Sequence, residues 1–240
     1  AVLGGDCHDY AVLDMEQVFL HSVDYLTKNF KGCSYLAGFY EHDMVSALWE
    51  LSGEDSLLDA YKKELALYGK APDEMKPVVR ITTSDTGSGG ANIFPMLVSG
   101  KESTTISLGS PLKLEHRNGT KLSAFDDQLK LLYGKYQLAI GNLVKLLKVE
   151  VVNPVNCMKG VMDKLGIARK YAAEAVDLFR SQYGESPCTA HDIYFGISEI
   201  LYMLACEGEE GSKIARMEEN IARALSVNWA EYDIPGIYRW

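Results

Sequence analysis

PVVRITTSDTGSGGANIFPMLVSG, residues 77–100, is the stretch on which the reading of this chain turns. Runs rich in β-branched residues flank a glycine-dense centre, Gly87, Gly89 and Gly90. A phosphate-gripping loop would need G-x-x-x-x-G-K-[ST] between a strand and a helix, so that backbone amides and the helix dipole face the phosphate. No Lys-Ser/Thr pair follows these glycines, and Asn92 stands where G-x-G-x-x-G requires its last glycine. Pro95 and its β-branched neighbours occupy the place of the helix. Ser84, Asp85 and Thr86 instead supply the side-chain-to-backbone bonds of a turn. The stretch therefore reads as strand, turn, strand.

Working outward, TTISLG (104–109) and PLKLEH (111–116) are further short runs separated by Gly, Ser and Asn. RNGTK (117–121) holds Asn118-Gly119, a tight-turn pair. Together they predict a small antiparallel sheet over about 77–122. The chain before it reads as mainly helical. In DMEQVFLHSVDYLTKNF (14–30), Met15, Val18, Phe19, Val23, Leu26 and Phe30 recur at helical spacing behind an Asp14 cap. GCSYLAGFYEHDMVSALWEL (32–51) is aromatic-rich and partly alternating, so strand or irregular structure is expected there. GEDSLLDAYKKELALYGK (53–70) is a second helix, stopped by Gly69 and Pro72.

Beyond the sheet the helical period takes over. Ser123 is expected to start a helix whose one face carries Phe125, Leu129, Leu132, Tyr136, Ile140, Leu143 and Leu147. Pro154 opens the next helix, Gly166 separates two more, and Thr189 and Ser212 are the expected caps of the last two. Trp229, Tyr232, Tyr238 and Trp240 crowd a tail expected to dock on the body. The fold class is α+β: one domain over 1–240, with 150–240 as a candidate helical subdomain.

Composition narrows the function. At 240 residues, 47% hydrophobic and 24% charged, the chain has the make-up of a soluble globular protein. No apolar run reaches the roughly 18 residues of a membrane span, and "AVLGGD" has no basic leader region, so neither a membrane partner nor a signal peptide is expected. Five cysteines without a C-x-x-C pair suggest free thiols rather than disulfides or a zinc ribbon. The net charge of −9 opposes a surface that coats nucleic acid. Yet residues 101–148 carry eight basic side chains against four acidic ones, a local surplus of four that leaves −13 for the remainder.

The chemistry-bearing residues are sparse. Asp6, Cys7, His8 and Asp9 are sequence neighbours, which seldom converge on one metal, and no H-E-x-x-H or G-x-S-x-G motif occurs. His42 reads as part of a polar surface cluster and His191 as a first-turn helix residue. Asp85, Glu115 and Lys113 could form a carboxylate nuclease site on adjoining strands. VMDKLGIARKYAAEAVDLFR (161–180) loosely fits a helix-turn-helix, but Glu174 and Asp177 suit a phosphate backbone poorly. No catalytic residue, metal ligand or cofactor is assigned. The surviving candidate is basic: Lys113, His116, Arg117 and Lys121 around a turn, then a helix bearing Lys130, Lys135, Lys145 and Lys148, of which Lys113, Arg117, Lys121, Lys130 and Lys135 are the assigned contacts, with Tyr133 and Tyr136 placed to stack bases if exposed. The bland alternative makes Tyr136 a core residue and the lysines a solvated rim.

DYAVLDMEQVF (9–19), MVSALWEL (44–51), VRITTSDTGSGGANIFP (79–95) and LEHRNG (114–119) resemble the phage/plasmid-like proteins of unknown function carried by mobile elements, over about residues 9–150. The helical C-terminal third departs from that family's pattern. The resemblance implies a bacterial host cytoplasm and transfers no residue role. Strands followed by a helix, with a basic hairpin, are also similar in outline to phage single-strand annealing proteins. That likeness implies single-stranded nucleic acid as partner, in recombination or replication, and a homo-oligomer. A phage interaction or assembly protein is the alternative, and a metal-dependent nuclease a weaker one.

Overall fold

A computed structural model describes residues 13–41, 44–54, 56–70, 74–84, 90–99, 104–116 and 120–240. The 77–100 stretch forms two antiparallel neighbours, β3 (Met75–Thr83) and β4 (Ala91–Ser99), in register from Met75↔Ser99 to Thr82↔Asn92. The glycine-rich segment thus joins adjacent strands of one hairpin, although residues 85–89 themselves lie outside the described residues. β1 (Cys33–Tyr40) and β2 (Val45–Leu51) extend the sheet on one side, and β5 (Thr104–Ser107) and β6 (Leu112–Leu114) on the other. Two of the six strands therefore come from the aromatic N-terminal segment, so the sheet starts well before residue 77.

β5 and β6 share one edge of β4: β5 pairs Met96–Ser99 and β6 pairs Ala91–Ile93. Pro95 sits between those two half-strands. Its carbonyl accepts from the Leu108 amide at 3.1 Å. A strand residue turns its nitrogen and carbonyl to the same neighbour, so the donor that proline lacks faces the gap where β5 has ended. A central-strand proline is tolerated here for that reason.

The helices follow their local signals. Helix α1 (Met15–Asn29) starts where Asp14 accepts from the Gln17 amide at 3.0 Å. Of its predicted stripe Val18 and Leu26 are buried, as is Phe30 just beyond, but Val23 is 41% exposed. Helix α2 (Ser56–Leu67) ends before Gly69, whose φ of +69° favours glycine. The expected single helix after the sheet is two, α3 (Leu122–Lys130) and α4 (Leu132–Leu147). It starts at Leu122 rather than Ser123, and the Leu131 amide bonds back to Gln128, tightening the chain at the join.

Pro154 opens α5 (Pro154–Lys164), Gly166 turns the chain into α6 (Arg169–Tyr183), and Thr189 and Asp192 form a capping box on α7 (Ala190–Cys206). A two-residue pair, β7 (Glu150–Val151) with β8 (Cys188–Thr189), clamps the loops before α5 and α7. Helix α8 (Gly211–Ala222) corrects the expected Ser212 cap. Ser212 lies inside the helix, and the Glu41 carboxylate takes the Gly211 and Ser212 amides at 2.6 and 3.0 Å. The tail docks as expected: Trp229 is buried, Asp233 accepts from the Val152 and Asn153 amides, and Tyr238 reaches Asp163 at 2.9 Å.

One cluster of buried apolar side chains runs from Leu13 to Trp229 and takes in one sheet face together with α4 and α7. Leu48, Val78, Phe94, Met96 and Val98 form a smaller cluster of their own. The described cysteines, Cys33, Cys157, Cys188 and Cys206, are free thiols. No helix among the described residues is long and apolar enough to cross a membrane.

Candidate nucleic-acid interface

Residues 128–149 contain four lysines and no Asp or Glu. Helical geometry sorts them. Leu132, Tyr136, Ala139, Ile140, Leu143, Leu146 and Leu147 face the core. At about 100° per residue the opposite side of α4 collects Gly134, Lys135, Leu138, Asn142 and Lys145, with Leu131 just ahead of the helix. This side is open: Leu131 and Leu138 are 55% and 61% exposed, and a methyl added at Gly134 or Gly141 would meet nothing within 4 Å. Lys145 and Lys148 are exposed, and Lys145 reaches only as far as Asn142, at 3.3 Å. Lys135, Lys145 and Lys148 make no ion pair among the described residues. From Lys135 to Lys148 the row spans about 20 Å of helix.

The remaining basic candidates are placed differently. Lys113, on β6, is committed to Glu219 of α8. Lys130 is fully exposed but bonded to Asp127 at 2.7 Å, and that bond holds its ammonium above the usual lysine range. Asp126 beside it pairs with His21 at 2.8 Å. Lys121 is exposed at the entry to α3 and has no ion pair among the described residues. Arg117 lies outside the described residues, as does the Asn118-Gly119 turn. Charge is thus balanced on α3 and β6 and unbalanced on α4.

The tyrosines divide as well. Tyr136 is fully buried, and its hydroxyl donates to the Met96 carbonyl at 2.8 Å, so it cannot stack on a base. Tyr133 is 44% exposed at the border of the open side. Desolvation pushes the Tyr136 hydroxyl far above the ordinary range, so it stays a donor.

Asp85, one leg of the nuclease arrangement, lies outside the described residues, and Lys113 is held by Glu219. No group of three His, Cys, Asp or Glu side chains among the described residues could hold a metal ion. The helix-turn-helix candidate is two packed helices, α5 and α6, in which Tyr171 is buried and Lys170 is paired with Glu207. Of the lysines on the helix after the turn, Lys145 and Lys148 are exposed and without an ion pair among the described residues, and the acid-free run around them is the sequence signal that marks them. No protein-family model, curated protein or solved structure matches the chain.

Proposed function

We propose that the protein binds single-stranded nucleic acid along the outward side of α4, in the recombination or replication of a mobile element. The supporting observation is an acid-free row of lysines, Lys145 and Lys148 exposed and Lys135 half-buried, along the outward side of the helix in a chain of net charge −9. Lysines without carboxylate partners are available to neutralise phosphates, and each phosphate neutralised releases cations condensed on the nucleic acid, which is the source of the affinity. The acidic remainder of the chain repels the same polyanion, which confines contact to this side. Tyr133, Leu131 and Leu138 add apolar surface for bases that are already unstacked, a contact a duplex does not offer.

The test compares lysines that are free with lysines that are paired. Fluorescence anisotropy with labelled single- and double-stranded oligonucleotides, across a salt series, would read the slope of log K against log salt. Lys135→Ala/Lys145→Ala/Lys148→Ala should flatten the single-strand slope by about 2, since each lost phosphate contact removes about 0.7. Lys113→Ala/Lys130→Ala should leave it almost unchanged. Equal loss in both variants would put the interface elsewhere. No binding by the wild type even at low salt would sink the proposal and leave the interaction-protein reading in its place.

A further inference from the structure

At the opposite end of the β3–β4 hairpin from the glycine-rich segment, a cavity of about 280 Å³ opens where α2 meets α7. Leu65, Met75 and Phe195 give it apolar walls, Tyr183 stands at its side, and Tyr61, Lys70, Ser99, His191 and Asp192 bring polar atoms to it. His191 is 5% exposed and stacks on Phe195 with ring centroids 4.4 Å apart. Its Nε2 is hydrogen-bonded to the Tyr61 hydroxyl, while its Nδ1 is buried with no partner.

The buried donors and acceptors around His191 favour one tautomer. Burial pushes the Tyr61 hydroxyl far above its ordinary range and His191 down to about 4, so both are neutral at pH 7. If Nε2 carried the proton, it would donate to the Tyr61 oxygen. Nδ1 would then lack a donor and the phenol hydrogen would lack an acceptor, leaving two buried groups unmatched. If the phenol donates to Nε2, one group is unmatched: a buried Nδ1–H that needs an acceptor.

The neighbouring charges define that acceptor. Both Asp192 oxygens are engaged elsewhere: one takes the Thr189 amide and hydroxyl at 3.0 and 2.8 Å, and the other takes Lys70. Burial opposes its charge, but Lys70 and Thr189 outweigh that and hold its carboxyl below the usual range. The Lys70 ammonium gives one hydrogen to Asp192 and one, at 3.4 Å, to Thr189, which leaves a third. Both this hydrogen and the Nδ1–H stand at the positive N-terminal end of α7. Lys70 and Asp192 cancel in formal charge, so the two free donors at the positive helix end suit at most one further negative charge. A dianionic phosphate would meet the Asp192 carboxylate with too little positive charge to balance it.

We propose that this cavity binds a small organic carboxylate, its oxygens on His191 Nδ1–H and Lys70 and its apolar body against Leu65, Met75 and Phe195. Such a ligand satisfies the unmatched donor and fits the walls. The site is independent of the α4 side and makes no use of its lysines.

Long-range ¹H–¹⁵N correlation on ¹⁵N-histidine-labelled full chain at pH 7 reads both halves of the proposal, with His191→Gln assigning the resonance. The free protein should show an unprotonated Nε2 and a protonated Nδ1. Butyrate and benzoate should shift that Nδ1–H saturably, whereas butyramide and benzamide should bind at least about tenfold more weakly. Lys70→Met should weaken the carboxylates at least tenfold and leave the amides unchanged. A protonated Nε2 in the wild type, or amides binding as well as acids, would overturn the assignment. So would carboxylates that leave His191 unmoved into the millimolar range, an outcome read on the wild type whatever the variants do.

Discussion

Arg80–Glu218 and Tyr61–His191 do the same mechanical work in two places: each ties the sheet half of the molecule to its C-terminal helices through a buried polar contact. Their side-chain inventories differ. Glu218, 2% exposed, holds Arg80 with one oxygen and the Thr105 hydroxyl with the other at 2.8 Å, and neither Arg80 nor Glu218 has an unmatched buried atom. Desolvation lowers Arg80 to about 10, so it remains charged at neutral pH. The His191 contact leaves one nitrogen over, and that nitrogen belongs to a residue lining a cavity. A buried polar cluster that satisfies itself holds the fold together. One left with an unmatched nitrogen beside a cavity is the kind a ligand can complete.

The saturated cluster gives the largest effect. Glu218→Ala leaves the Arg80 guanidinium buried without its counter-charge, and urea unfolding should show a loss of about 3–5 kcal/mol. Arg80→Leu/Glu218→Leu should recover most of it, because removing both charges removes the desolvation cost with them. A double variant as unstable as the single one would mean that the pair positions α8 through its geometry rather than its charge.

The unsaturated cluster should declare itself through pH. His191 titrates at about 4 in the folded chain against 6.5 in the unfolded one, so between those values the unfolded state binds more protons. Stability from this group is therefore complete above pH 6.5 and is lost as pH falls toward 4, by about 3 kcal/mol in all. Below that window Asp192, held under its usual range, extends the decline as it protonates. Thermal melts of the wild type from pH 7.5 to 4 should slope downward, and His191→Gln should flatten the part between 6.5 and 4. A saturating carboxylate ligand should raise the upper part of the curve, where the ligand is ionised. An unchanged slope in His191→Gln would place the titrating group elsewhere.

These clusters also show where sequence reading stops. Asp14, Gly69, Pro154, Gly166 and Thr189 announced their structures because each acts on its own backbone within a turn. The 77–100 hairpin was legible for the same reason, its strands and turn being contiguous. His191 was legible only as a first-turn residue, since its partner Tyr61 lies 130 positions away. Lys113 looked as available as Lys145 because the carboxylate that neutralises it is 106 positions distant. Local spacing shows which face a side chain takes on its own element. What meets that face is decided by tertiary packing.

Helix α8 isolates that limit in one contact, and gives the smallest effect of the series. Ser212 had the look of a local cap, but Glu41, at the end of β1 and 170 positions from Gly211, does the capping. The approach is close: a methyl added at Gly211 would press on the Phe39 ring at 2.6 Å. Glu41→Ala strips two helix amides of their acceptor and removes a negative charge from the positive helix end, for a loss of about 1 kcal/mol in urea unfolding. Glu41→Gln keeps one acceptor oxygen and should lose about half as much. Water can reach this contact far more readily than Arg80–Glu218, so the same kind of tie is worth less here. Equal losses in Glu41→Ala and Glu218→Ala would show that burial is not what separates the two, and the ranking of the clusters would have to rest on geometry alone.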